Sequence, residues 1–144
     1  MTKDILLQIS GMQFGVEELP ESEDAVEVIT SGSYFERDGQ RYIKYDEFQE
    51  DSEEVSKNLI KIRDDGMEVI KKGLTNVHMV FEKGKKNESY YQTPFGSLLI
   101  GISATHLEVQ ESEHELDIKV EYALEINYEF MADCFISIHA QSKE

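Results

Sequence analysis

The chain has 144 residues, 40 % of them hydrophobic, and its 30 acidic and 14 basic side chains leave a formal charge of −16. That length suits one domain, 1–144, around a single core, and the charge disfavours nucleic acid and anionic membrane surfaces, which need basic residues facing them. No stretch approaches the ~20 apolar residues of a spanning helix, the opening Met1–Leu7 is too short for a secretion signal, and the lone Cys134 cannot form an internal disulfide. The expectation is a cytoplasmic protein with a reduced thiol.

Ile5, Leu7 and Ile9 alternate with Leu6, Gln8 and Ser10, which predicts a first strand over 3–13. The acidic segment 14–24 contains Gly15 and Pro20 and reads as a loop. Its carboxylates lack the spacing of a calcium loop. Residues 25–37 and 40–49 form a hairpin about Asp38-Gly39, a pair suited to the positive φ of a primed turn. Counting outward pairs Glu36 with Arg41, Phe35 with Tyr42, Tyr34 with Ile43 and Gly32 with Tyr45. Val26, Val28, Thr30, Gly32, Tyr34, Ile43 and Tyr45 then form the inner face.

Residues 50–54 are a charged loop. Over 55–72 two patterns compete: Val55, Leu59 and Ile62 at helical spacing, and a hairpin signal at Asp65-Gly66. The hairpin pairs Arg63 with Glu68 and Ile62 with Val69, puts Ile60, Ile62, Met67 and Val69 on one face, and is the reading taken here. Val77, Met79 and Phe81 mark a strand over 75–83, followed by a turn at Lys83-Gly84-Lys85-Lys86-Asn87. Strands at 88–93 and 95–109 flank a bend at Thr93-Pro94-Phe95-Gly96, where Pro94 cannot donate to a ladder. An acidic loop, Gln110–Glu115, precedes the plainest strand of all, Leu116–Ile126, in which every even residue is apolar. After a turn at Asn127-Tyr128, a last strand over 129–140 places Phe130, Ala132, Cys134, Ile136 and Ile138 on one face.

Eight to ten strands joined by short turns predict an all-β fold. A closed or nearly closed antiparallel up-and-down barrel is the economical solution, because closure removes edges that would otherwise aggregate. A barrel of about eight strands is just wide enough for a side-chain core or one small ligand.

Three segments carry a family resemblance: Ser31-Gly32-Ser33-Tyr34-Phe35-Glu36-Arg37, Met79-Val80-Phe81-Glu82-Lys83-Gly84 and Tyr90-Tyr91-Gln92-Thr93-Pro94-Phe95-Gly96. They resemble the YwiB-like family, domain of unknown function 1934, in order over nearly the whole chain, and the last is the most specific. The resemblance implies a calycin-like, lipocalin-related barrel in the bacterial cytoplasm, with no assigned activity and no catalytic residues to carry over. The chain departs from the pattern at Asn127-Tyr128, where members often look like Asn-Gly.

The four histidines, His78, His106, His114 and His139, are scattered, and a metal centre needs three or four converging ligands. No metal site is expected. Cys134 reads as a small buried hydrophobe, with His139 on the opposite face of the strand. No nucleophile elbow or phosphate-binding glycine loop is present, so no catalytic residue and no cofactor is expected. Lys83, Lys85 and Lys86 read as a solvated turn. The aromatics are more informative, because a ring with a polar tip suits a pocket that is apolar yet orients its ligand. Tyr34, Tyr45, Tyr90, Tyr91, Phe95 and Tyr122 are the candidate ligand-binding residues of the barrel interior or mouth.

The leading expectation is a non-enzymatic binding module for a small apolar or amphipathic ligand. The alternative is a structural or interaction domain, as a homodimer or docked to a partner protein. A third reading, a hydrolase or isomerase hidden in the barrel, calls for an inward His or carboxylate with a strongly shifted pKa.

Overall fold

A period of two, broken by one bulge each in β8 and β10, puts one row of each described strand into a common interior. The computed structural model describes residues 2–11, 27–48, 55–73, 76–93 and 96–143. In chain order its strands are β1 Thr2–Ser10, β2 Glu27–Arg37, β3 Gln40–Phe48, β4 Val55–Arg63, β5 Gly66–Lys72, β6 Val77–Glu82, β7 Lys86–Thr93, β8 Gly96–Glu111, β9 Glu115–Ile126 and β10 Glu129–Ser142.

The ten strands form one antiparallel sheet in the order β6-β5-β4-β3-β2-β1-β10-β9-β8-β7. Apart from β6 and β7, strands that follow one another in the chain pair, and β1 joins the two meanders by pairing with β2 on one side and β10 on the other. The barrel is nearly closed. At the remaining step, β6 to β7, no ladder forms among the described residues; the Ser89 hydroxyl donates to the His78 carbonyl at 3.0 Å and the Gly84 N–H to the Ala104 carbonyl at 3.0 Å. These side-chain and turn contacts hold a seam where a regular ladder is missing.

The core is the inward row. Ile118, Val120, Ile136 and Ile138 are fully buried, as are Ile43, Ile60, Val69 and Phe81 on the facing wall. Phe81 and Tyr122 meet across the interior edge to face, with centroids 5.0 Å apart.

The β2–β3 hairpin has the predicted register, with Glu36 opposite Arg41, Phe35 opposite Tyr42 and Tyr34 opposite Ile43. Asp38 and Gly39 both take positive φ, and Phe35 stacks on Tyr42 at 4.9 Å on the outer face. Two details of the other hairpins differ from expectation. The β4–β5 turn is Asp64-Asp65, so Arg63 faces Gly66 and Ile62 faces Met67. Gly66 lies outside the turn, in β5, where a Cβ would sit tightly, 3.0 Å from the Phe81 carbonyl oxygen. The register therefore moves by two, which leaves Ile60, Ile62, Met67 and Val69 facing inward. In β10 the ladder slips between Phe130 and Ala132, which sets Phe130 opposite Glu125, in the outward row of β9. Phe130 is consequently exposed, while Ile136 and Ile138 keep the inward row.

The two ends of the barrel differ in their connections. One, the turn end, carries the turns 38–39, 64–65, 83–85 and 112–114. From the other, the loop end, leave 12–26, 49–54, 74–75 and 94–95, all outside the described residues, together with the turn Asn127-Tyr128. The predicted acidic loop 14–24 and the bend at Pro94-Phe95 lie in that undescribed portion. Asn127 and Tyr128 both take positive φ, at 50° and 71°, and Asn127 clasps β8: its N–H donates to the Leu99 carbonyl at 2.8 Å and its Oδ1 accepts from the Leu99 N–H at 3.0 Å.

Candidate functional site

At the turn end the inward row finishes in charge. Arg41 on β3 donates to Glu111 on β8 at 2.7 Å, across the mouth, and to the exposed Asp64 at 2.8 Å. The Tyr34 hydroxyl lies 2.9 Å from Glu36 Oε1 and 3.1 Å from Glu111 Oε1, and its one proton serves one of them at a time. Burial first, then these carboxylates, hold the Tyr34 phenol protonated well above its ordinary range. Beneath this strap, among Lys3, Tyr34, Glu111, His114, Leu116 and Ala140, lies a cavity of about 30 Å³. That space suits a water or two, not an apolar ligand.

The loop end holds a different arrangement. Carrying the inward row of β3 past Ile43 gives Tyr45 and then Glu47; carrying that of β4 back past Ile60 gives Asn58 and Ser56; carrying that of β5 past Val69 gives Lys71. Tyr45, Asn58 and Lys71 stand side by side across three strands, with Glu47 and Ser56 one row nearer the mouth. Lys71 is 8 % exposed, an unusual depth for lysine. Its ammonium meets the Glu47 carboxylate at 2.7 Å, and that partner makes the burial tolerable. Asn58 is 3 % exposed; its amide nitrogen faces the Ser56 carbonyl at 3.5 Å, and its Oδ1 has no hydrogen-bond partner. Burial, then the nearby Glu47 charge, keeps Tyr45 in its neutral, donating form.

Facing this polar wall is an apolar one. Ile100, Leu124 and Ile126 point inward from β8 and β9, each 9 % exposed, against 0 % for Ile118 and Val120 deeper in the same row of β9. The polar wall also borders a gap in the hydrogen bonding. The β2–β3 ladder stops at Ser33–Lys44, so Tyr45–Glu47 on β3 have no β2 partners. A Cβ on Gly32 would lie 2.7 Å from the Lys44 carbonyl oxygen, so a glycine is required where the two strands part.

Of the tyrosines predicted to face the interior, Tyr34, Tyr45, Tyr91 and Tyr122 are buried. They do not form one cluster. Tyr34 belongs to the turn end and Tyr45 to the loop end, while Tyr122 packs in the middle against Phe81. Tyr90 is a correction: it is 75 % exposed, because it neighbours Tyr91 on a regular strand and must point the other way. Phe95 lies outside the described residues. The residues that alternation could have found, and that a search for rings passed over, are Glu47, Ser56, Asn58 and Lys71.

Cys134 points inward and hydrogen-bonds Tyr122; burial outweighs that bond and raises its thiol pKa, so it is a poor nucleophile. Of the histidines, His139 pairs with Asp117 at 2.7 Å, His78 with Glu68 and His106 with Glu108 at 3.8 Å. No group of three or more potential metal ligands gathers among the described residues. Lys85 pairs with Glu82 at 3.6 Å and Lys86 with Glu125, which neutralises most of the lysine turn. No described helix is long and apolar enough to cross a membrane.

No curated protein matches the chain. The fold is that of the ywiB protein from Bacillus subtilis, whose crystal structure it matches with a TM-score of 0.78 over 99 % of this chain and 94 % of that one, at 17 % identity. A model described as Domain of unknown function (DUF1934) matches residues 14–138, and the chain belongs to that family.

Proposed function

We propose that the protein is a non-enzymatic binding module, a single calycin-like barrel over 1–144 acting in the cytoplasm, which holds a small amphipathic ligand at its loop end. One observation carries the reading. Inside a barrel whose middle is sealed by apolar side chains, the row Tyr45–Asn58–Lys71 faces the apolar Ile100, Leu124 and Ile126. A polar wall opposite an apolar one is what an amphipathic molecule requires, with a few placed polar groups setting its orientation. At the other end the Arg41–Glu111 ion pair spans the mouth over a space of only about 30 Å³.

Native mass spectrometry of the protein purified from its own host tests this. A small-molecule adduct that leaves on mild unfolding is the expected result. A clean apo mass at every charge state would sink it.

The alternative, a homodimer or a partner-docking domain, draws on the exposed Tyr90, Tyr128, Phe130 and Met131 toward the loop end of β7 and at the β9–β10 tip. Sedimentation at micromolar concentration separates the two: a dimer that Phe130→Ser dissolves would favour docking.

A further inference from the structure

We infer that the headgroup recognised at the loop end is a neutral hydrogen-bond donor, an alcohol or primary amide, and not a carboxylate. This rests on the binding-module reading and adds the chemical class of its ligand.

The argument starts from Asn58. Its amide is nearly out of contact with water, and a carbonyl oxygen faces one end of it, from Ser56 at 3.5 Å. A carbonyl only accepts, so the end turned toward it is the N–H₂ and the Oδ1 is turned elsewhere. That Oδ1 has no partner. Buried acceptors are almost always satisfied, so the position calls for a donor.

The charges beside Asn58 exclude the obvious anion. The Lys71 ammonium already lies 2.7 Å from the Glu47 carboxylate. A carboxylate reaching Lys71 would approach the Glu47 charge and present lone pairs to the Asn58 Oδ1, which repels them. A hydroxyl or an amide N–H₂ instead donates to Oδ1 and leaves the ion pair intact. Tyr45, adjacent in the same row, supplies a second polar group, and a short alkyl tail lies against Ile100, Leu124 and Ile126 on the opposite wall.

The test titrates the full chain with hexanol, hexanamide and hexanoate at neutral pH, following amide and side-chain NMR shifts. The alcohol and the amide are expected to bind at least tenfold more tightly than the carboxylate, with the largest shifts at Asn58 and its register partners. Asn58→Leu, close in volume and free of an orphaned acceptor, is expected to weaken hexanol and hexanamide at least fivefold and to change hexanoate by less than about twofold while the spectrum stays folded. Hexanoate binding as tightly as hexanol at the same residues would overturn the headgroup assignment and leave the binding module standing. Hexanol and hexanamide binding unchanged by Asn58→Leu would also overturn it. If none of the three shifts these residues, the headgroup assignment falls, and the binding module is then judged by the adduct measurement alone. Should Asn58→Leu fail to fold, Lys71→Met with Glu47→Leu provides the second variant: it removes both charges, and the inference then expects the preference for hexanol over hexanoate to persist.

Discussion

At the turn end, Arg41 reaches over the barrel mouth to Glu111 and also holds the exposed Asp64; at the loop end, Lys71 meets Glu47 with Asn58 buried beside them. The two pairs have the same N–O separation, 2.7 Å, and the loop-end pair is only somewhat drier, its side chains 10 % and 28 % exposed against 15 % and 38 % at the strap. An ion pair in water is a modest fastening, weakened by salt. One inside a wall is costly to create and costly to break, so it persists only where both partners remain. The strap shares its arginine with an exposed aspartate, whereas the inner pair stands beside the buried Asn58 and so belongs to a polar wall. That difference is why the functional reading belongs to the loop end.

Removing one inner partner gives the largest expected effect. Lys71→Met strands the Glu47 carboxylate and is expected to cost about 2–3 kcal/mol in urea unfolding, under the ~3–5 kcal/mol of a fully buried pair because Glu47 keeps some solvent. Lys71→Met with Glu47→Leu should recover most of that loss; a double variant as unstable as the single one would mean that Lys71 acts through packing alone. Alkali probes the same contrast from the phenols. Burial raises the pKa of Tyr45 at the loop end and Tyr122 in the middle above the ordinary ~10. A group whose pKa is raised by folding lends its full support below the unfolded value and loses it as pH climbs toward the folded one. Stability should therefore hold up to about pH 10 and then fall by about 1.4 kcal/mol per pH unit for each such tyrosine. Tyr45→Phe should flatten that slope by one group's share, and an unchanged slope would refute its assigned state.

The turn end should respond more weakly. Arg41→Met is expected to cost about 1 kcal/mol at low salt, and the difference from wild type should shrink in molar salt. A cost of several kcal/mol, insensitive to salt, would erase the contrast between the ends. The smallest effect concerns the β9–β10 tip, where Tyr128 adopts a left-handed φ of 71° with its ring in solvent. Relief of about 1–2 kcal/mol of backbone strain, less the extra chain entropy of glycine, leaves Tyr128→Gly more stable by about 0.5 kcal/mol. A loss of stability there would show that the ring has a partner that the backbone argument misses.

How much of this could be read beforehand differs from feature to feature. The β2–β3 register follows from Asp38-Gly39 alone, because a primed two-residue turn leaves one way to count. The β4–β5 turn misleads because Gly66 invites a left-handed turn on paper but lies in β5, tight against a carbonyl oxygen, in space. Phe130 fails for a related reason, since one bulged residue reverses the faces and leaves no mark on the alternation. The inner polar row was within reach of the same rule that located Ile60 and Val69; it needed the alternation to be followed past the last apolar residue to Asn58 and Lys71. The strap from Arg41 to Glu111 was not within reach, because it joins strands far apart in the ring and has no local signature.

The seam between β6 and β7 has a further consequence for the order in which the chain could be written. Around the ring, the step without a ladder is bridged by backbone through Lys83, Gly84 and Lys85, whereas the step from β10 to β1 has a ladder and no covalent link. The Lys143 N–H already donates to the Asp4 carbonyl at 3.1 Å, so a short splice could join those strands as an ordinary hairpin. Cutting at Gly84 would then produce a circular permutant that begins at β7, ends at β6 and keeps every ladder of the parent.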